Sequence, residues 1–273
     1  MQRPLKIITP EPPSWREYFI ELWNNRHILT ALYERNIKQQ YVQTKLGIAW
    51  AILKPGIVVL VFTILFSWFI KISTGDYPYS LFALSGLIAW NLFTVIFNIG
   101  SQSIKSNAEI IKKKNIPLLL FPILTIADAL NDWVISFLLM LLLMPLLGYF
   151  PHTTIVLLPL VLVVNIFLGF GAAVWLSLLN IRFKDINQFV PYLVNFSIWL
   201  TPVFFPVTII PQPYSWIISI NPMTGVLNMY RFVLFGEAIN IAACLWSCLL
   251  AICLTISAIH FFIKKEGEMI DNL

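Results

Sequence analysis

Charged residues are scarce: Asp, Glu, Lys and Arg together make up 11% of the 273 residues. A soluble domain carries about 25%, so this chain has too little charge to coat a globule in water, which excludes an ordinary cytosolic enzyme and a disordered chain. Cysteine is just as sparse. The 3 cysteines, Cys244, Cys248 and Cys253, share one apolar run with no histidine or acid beside them. That excludes a disulfide scaffold and a thiolate metal site, and leaves them as small packing residues. The 3 histidines, His27, His152 and His260, lie far apart. No G-x-x-x-x-G-K-[ST] occurs, so nucleotide phosphates cannot be held in a P-loop. No metal-spaced cluster and no nucleophile–base set is present, so the expectation is no catalytic residue, no metal and no cofactor in this chain. Gly169-Phe170-Gly171 lacks the third glycine of a dinucleotide site and sits in an apolar run. With Ala173 and Ser177 it makes a small-residue face suited to close helix packing. The first residues lack the apolar stretch and cleavage site of a signal peptide.

What remains is apolar: 59% of the chain is hydrophobic and 15% aromatic, with a mean hydropathy of +0.81. The apolar runs are continuous rather than alternating, which selects helices over barrel strands and predicts an all-α polytopic membrane protein. Crossing a hydrocarbon core of about 30 Å takes roughly 20 helical residues. Six runs meet that length, at 47–70, 79–100, 122–147, 153–179, 186–205 and 238–263. They divide the chain into an N-terminal segment 1–46, a six-span domain 47–263 and a tail 264–273. The net charge of +5 and pI of about 9.1 do not indicate nucleic acid, because the basic residues are scattered over short loops without a recognition motif. They report topology instead. All of the 18 Lys and Arg except Lys71 and Arg231 fall on one face of the six-span arrangement. The positive-inside rule then places both termini in the cytoplasm.

Three segments outside the spans carry pattern. Pro12-Pro13 precede Ser14-Trp15-Arg16-Glu17, a capping box opening a helix. Trp15, Tyr18, Phe19, Leu22 and Trp23 then recur at one helical face, so an amphipathic helix in the membrane interface is expected. The stretch 101–117 is polar and helix-compatible, with Ile104, Asn107, Ile110 and Ile111 on one side and Lys112-Lys113-Lys114 at its end. It serves as a topology anchor or docks on a cytoplasmic partner. The segment 201–236 begins with Pro202, Pro206, Pro211, Pro213 and Pro222 set among Phe204, Phe205, Ile209, Ile210 and Trp216. It is too apolar for a free loop and too broken for a spanning helix, so short re-entrant helices on the outer side are expected.

Two acids, Asp128 and Asp132, lie one turn apart in the third run, where a carboxylate costs about 2.5–3.5 kcal/mol. Hydrogen bonding between helices, or to the basic N-terminal segment, is the first reading. Three aromatic stripes stand at helical spacing: Phe62, Phe66, Phe69; Trp90, Phe93, Phe97; and Phe189, Tyr192, Phe196, Trp199. Aromatic faces suit a sugar polymer, whose C–H faces stack without fixed registry. With no internal repeat, one chain does not enclose a pathway, and a homodimer is the natural way to build one.

Four motifs in order resemble the permeases of polysaccharide ABC exporters: Arg35, Tyr41 and Leu46-Gly47-Ile48-Ala49-Trp50 with Pro55; Asn180-Ile181-Arg182-Phe183-Lys184-Asp185; Thr201-Pro202-Val203; and Asn221-Pro222-Met223 with Tyr230-Arg231. The resemblance extends from about residue 15 to 263, and is strongest to O-antigen exporters, with teichoic-acid and capsule exporters as the alternative. It implies a homodimer flanked by two copies of a separate ATPase subunit that binds the ATP and Mg. It implies as cargo a polysaccharide linked to lipid, on undecaprenyl diphosphate, moved across the bacterial inner membrane. In that scheme Phe62, Phe66, Phe69, Phe189, Tyr192, Phe196 and Trp199 line the path, and Arg35, Lys38 and Lys45 attract the diphosphate at the cytoplasmic leaflet. Ile104, Asn107, Ile110, Arg182 and Asp185 face the ATPase. Pro202, Phe204, Phe205, Trp216, Asn221, Pro222 and Arg231 gate the outer mouth. One departure is that Leu118 follows Pro117 where the family often has a basic residue, which removes a phosphate-binding role there. Competing classes are an ion-coupled carrier using Asp128 and Asp132, and a transferase, for which the loops offer only scattered acids such as Asp185 and Glu237.

Overall fold

The computed structural model describes residues 13–39, 49–71, 74–75, 77–113, 116–183 and 185–271, and among these every regular element is helical. In chain order they are α1 (Trp15–Asn24), α2 (Arg26–Ile37), α3 (Ala49–Phe62), α4 (Tyr79–Ser106), α5 (Ala108–Lys113), α6 (Leu120–Leu146), α7 (Leu158–Arg182), α8 (Ile186–Ser197), α9 (Ser215–Ile220), α10 (Pro222–Phe235) and α11 (Ile241–Asp271). α3 continues through Thr63–Phe69 in a wider, π-helical winding.

Sequence chemistry accounts for the helix ends. Ser14 and Glu17 exchange both capping-box hydrogen bonds, at 3.0 and 3.3 Å, as the motif predicts. α6 ends where Gly148 takes φ +80, and the amides of Gly148 and Tyr149 bond Pro145 and Met144 carbonyls at 3.0 and 2.9 Å. That is a Schellman closure, which a side chain at Gly148 would strain. α10 starts with Asn221 accepting from the Met223 amide at 3.0 Å and Pro222 in its first turn, both favoured choices there.

Among the described residues, five helical stretches are long and apolar enough to cross a bilayer: Ile52–Phe69, Tyr79–Ser106, Leu120–Leu146, Thr153–Arg182 and Ile241–Ile270. The fifth expected run behaves differently. α8 has 12 residues, about 18 Å at 1.5 Å per residue, and 198–205 form turns. Pro202 has no amide to continue the helix and disfavours helical geometry in Thr201. Two other bounds also shift: α4 runs past residue 100 to Ser106, and α11 carries the expected tail onward as helix to Asp271. The start of the first run, with Lys45 and the Leu46-Gly47-Ile48 motif, lies outside the described residues.

α7 packs lengthwise against both α4 and α11, α6 covers the other side of α4, and α10 bridges α4 and α11. Glycines set these close approaches. A Cβ on Gly100 would meet that of Ala173 at 2.9 Å, and one on Gly169 would meet Ile96 at 3.3 Å. One on Gly171 would lie 2.7 Å from the Thr255 amide. The small residues of α7 therefore serve two neighbours, α4 and α11, rather than a single face. Two cores result. One gathers Tyr18, Ile104, Ile111, Leu118, Phe121, Val174 and Phe262 where the N-terminal helices meet the helix ends that carry most of the basic residues. The other gathers Phe82, Met140, Val203, Phe204, Val226 and Tyr230 at the opposite end.

Candidate functional site

The two separated motifs Thr201-Pro202-Val203 and Asn221-Pro222-Met223 fold against each other at the end opposite the basic one. Asn221 Nδ2 donates to Thr201 Oγ1 at 2.8 Å and to the Leu200 carbonyl at 3.3 Å. Arg231 Nη2 donates to the carbonyls of Pro202 and Val203 at 2.7 and 3.3 Å. Tyr79 Oη donates to the Phe204 carbonyl at 2.8 Å. The carbonyls of Leu200, Pro202, Val203 and Phe204 and the Thr201 hydroxyl are thus held by three distant side chains, Asn221, Arg231 and Tyr79. The Arg231 guanidinium sits 3.6 Å over the Phe82 ring, a cation–π contact, and is buried. Gly86 of α4 lets this turn approach, because a Cβ there would meet the Val203 carbonyl at 2.8 Å.

Next to Arg231, Tyr230 is fully buried; its hydroxyl accepts from Trp133 Nε1 at 3.1 Å and from Asn165 Nδ2 at 3.5 Å. Residues 230 and 231 so anchor α10 to α6, α7 and the 201–204 turn at once. Nearby, Tyr77 donates to Glu237 at 2.8 Å; burial, then the Glu237 carboxylate, push the Tyr77 phenol well above its ordinary range.

The aromatic stripes sort by exposure. Trp90 and Phe97 of α4 are buried, with Phe93 between them at 5.8 and 5.4 Å, so that stripe is core packing. On α3, Phe62 stacks on Phe204 at 3.7 Å and on Phe66 at 5.6 Å, and Phe69 is exposed. On α8, Tyr192 and Phe196 are 65% and 70% exposed, and Phe189 and Trp199 are nearly as free. The α3 and α8 stripes meet: Trp199 lies 6.4 Å from Phe62 and 6.5 Å from Phe204. Of the other residues expected around the outer segment, Pro202 and Phe204 are buried, Phe205 and Pro222 half-buried and Trp216 exposed.

At the basic end α1 divides its apolar face. Tyr18 and Leu22 turn inward, while Trp15, Phe19 and Trp23 remain exposed. The Tyr18 hydroxyl accepts from the Leu119 amide at 3.4 Å, and Glu266 accepts from the Leu118 amide at 2.7 Å. Burial, and then Glu266, raise the Tyr18 phenol well above its ordinary range. α2 lies on α6, where Asn36 Nδ2 donates to Asp128 at 2.8 Å; this is the contact to the N-terminal segment that the acid's position suggests. Arg35 and Lys38 are exposed on the same helix. Within the 101–117 stretch the break falls at Asn107, which closes α4 by donating to the Ser103 carbonyl at 2.7 Å, and α5 follows. Ile104, expected to face the ATPase, is instead buried in the core at the basic end, whereas Glu109, Lys112 and Lys113 are exposed and Asn107 and Ile110 half-exposed. In the Asn180-to-Asp185 motif the asparagine is structural. It is fully buried and donates to Ser101 O at 3.0 Å and to Asn187 Oδ1 at 2.5 Å, whereas Arg182 and Asp185 are exposed. Asn165, Asn36 and Glu266 escaped sequence reasoning, although an asparagine inside an apolar run is itself a signal, since a buried amide needs partners.

The profile of the ABC-2 type transporter family matches residues 28–235. The chain belongs to that family. Among curated relatives, this ABC-2 chain is 26% identical over 217 residues to the O-antigen export system permease protein RfbA of Myxococcus xanthus, covering 79% of this chain and 83% of the relative. It is 23% identical over 214 residues to the protein of that name from Klebsiella pneumoniae, covering 78% and 82%. It is 27% identical over 206 residues to the polysialic acid transport protein KpsM of Escherichia coli, covering 74% and 78%.

Proposed function

We propose that this ABC-2 chain is the permease subunit of an exporter that moves a lipid-linked polysaccharide, O-antigen on undecaprenyl diphosphate, across the bacterial inner membrane. Two copies enclose the path, and a separate ATPase subunit, two copies per complex, binds ATP and Mg and supplies the energy. Both termini face the cytoplasm. α8 with the 198–205 turns makes the fifth of six crossings, and 207–235 is a re-entrant set of short helices at the outer mouth.

The observation that carries this reading is the meeting of the α3 and α8 stripes at Phe62 and Trp199, 6.4 Å apart, with the α8 rings otherwise uncovered. In the dimer Phe62, Phe66, Phe69, Phe189, Tyr192, Phe196 and Trp199 line the path, and sugar C–H faces slide over them. Arg35, Lys38 and Lys45 draw the diphosphate to the cytoplasmic leaflet. Asn107, Ile110, Arg182 and Asp185 meet the ATPase. The turn pinned by Asn221 and Arg231 closes the outer mouth with Phe204, Phe205 and Trp216. The relatives' names favour O-antigen; a capsular or teichoic-acid polymer is the second reading, supported by the polysialic acid transport protein among them.

The test is export in cells lacking the native permease. Alanine at Tyr192, Phe196 and Trp199 together stops polymer reaching the surface while the ATPase still co-purifies. Surface polymer at the wild-type level rejects the lining. Proteoliposomes of the chain alone that move glycan uphill without nucleotide reject the whole scheme and favour a carrier built on Asp128 and Asp132.

A further inference from the structure

Where α7 and α11 run side by side toward the basic end, a groove of about 700 Å³ opens on their outer flank. Its floor is closed by Trp175, whose ring packs 5.0 Å from Phe261 and whose indole N–H donates to Ser257 Oγ at 3.1 Å. Leu178, Leu179 and Met269 continue the apolar wall, and Arg182 and Lys265 stand at one end of it. Lys265 also holds Glu268 at 2.5 Å, so its charge is partly offset. Arg182 makes no ion pair among the described residues; its guanidinium lies 5.8 Å from the ring of Phe183.

Glu268 lines the same end and is paired with Lys265, so that end keeps a net positive charge through Arg182 while the rest of the groove is hydrocarbon, which matches a molecule with an anionic head and an apolar tail. Free phosphate would leave the apolar wall wet. Basic pockets between spanning helices at the level of the headgroups bind anionic lipids in this way, and Trp favours that level.

We propose that the α7–α11 groove is a binding site for one anionic phospholipid of the leaflet at the basic end. Its phosphate sits between Arg182 and Lys265, and an acyl chain lies along Leu178, Trp175 and Phe261. The site rests on the bilayer placement proposed above and is independent of which glycan is exported. A bound lipid braces the two helix ends beside the ATPase-facing surface without contributing to the path itself.

Native mass spectrometry of the purified full-length chain, washed and then titrated with phosphatidylglycerol or phosphatidylcholine, tests this. One phosphatidylglycerol per chain is retained and phosphatidylcholine is not. Arg182→Gln with Lys265→Gln lowers retention at least tenfold, whereas Lys112→Gln with Lys113→Gln leaves it unchanged. Leu178→Trp, which fills the groove without altering charge, also displaces the lipid while the thermal midpoint stays near wild type. Equal retention in wild type and the Arg182/Lys265 variant overturns the proposal, as does equal binding of phosphatidylcholine or displacement by millimolar inorganic phosphate. Because Lys265 is outside the proposed ATPase contact, Lys265→Gln alone separates the two roles: it weakens lipid retention with ATPase co-purification intact.

Discussion

Arg231 shows how one residue type fits one place. Its Nη2 alone donates to two carbonyls, Pro202 and Val203, while its flat face lies on Phe82, and lysine offers no such plane. Arg231→Met strips donors from buried carbonyls, at a cost of about 1–3 kcal/mol, and Arg231→Lys restores part of that. Thermal midpoints in detergent therefore fall in the order wild type, Arg231→Lys, Arg231→Met; equal midpoints for the two variants would mean that the charge contributes nothing and only the guanidinium's shape matters. Gly225 is constrained more simply. A Cβ there would lie 2.2 Å from both the Ala243 carbonyl and the Ser247 hydroxyl, so Gly225→Ala forces α10 off α11. Overpacking costs about 1–3 kcal/mol, and the same melting assay measures it. In the sequence Gly225 is one glycine among 11, and nothing local marks it, because the clash belongs to a helix beginning 16 residues later.

The helix α1 was legible in its cap and only half legible in its face. The capping box is a local pattern of four residues, so proximity in sequence is enough to form it. Which aromatic residues turn inward depends on the Leu118–Leu119 amides and Glu266, more than a hundred residues away. The Ser14 hydrogen bonds hold the Glu17 carboxyl below its ordinary value. A depressed folded value means that the cap contributes above the unfolded value and is lost as pH falls through the folded one. Ser14→Ala with Glu17→Gln frays α1, so trypsin at neutral pH cuts after Arg16 and Arg26 faster than in wild type, and acidification below the ordinary carboxylate range lowers the amide-exchange protection of α1 in wild type more than in the variant. For α8 the apolar run overstated the helix: composition continues to Phe205, but Pro202 stops the helix before the apolar character ends.

The distribution of basic residues governs the orientation proposed for the whole molecule. Cysteine placed at Thr208 or at Lys113, in a background lacking Cys244, Cys248 and Cys253, is expected to react with an impermeant reagent from opposite sides of the membrane. Thr208 should label in intact spheroplasts and Lys113 only after lysis; the reverse pattern would invert the topology. At this scale the sequence already carried the class of protein, since long apolar runs with little charge admit few alternatives to membrane helices. It also carried the cap of α1 and the basic face, each of which depends on composition or on neighbours in the chain. Only the tertiary structure decided that Trp90 and Phe97 are core while Tyr192 and Phe196 stay free, that Ile104 is buried, and that Asn221 and Arg231 grip the 200–203 turn. Periodicity marks a face of a helix, but burial depends on which other helix arrives there, and that is settled by packing between residues far apart in sequence.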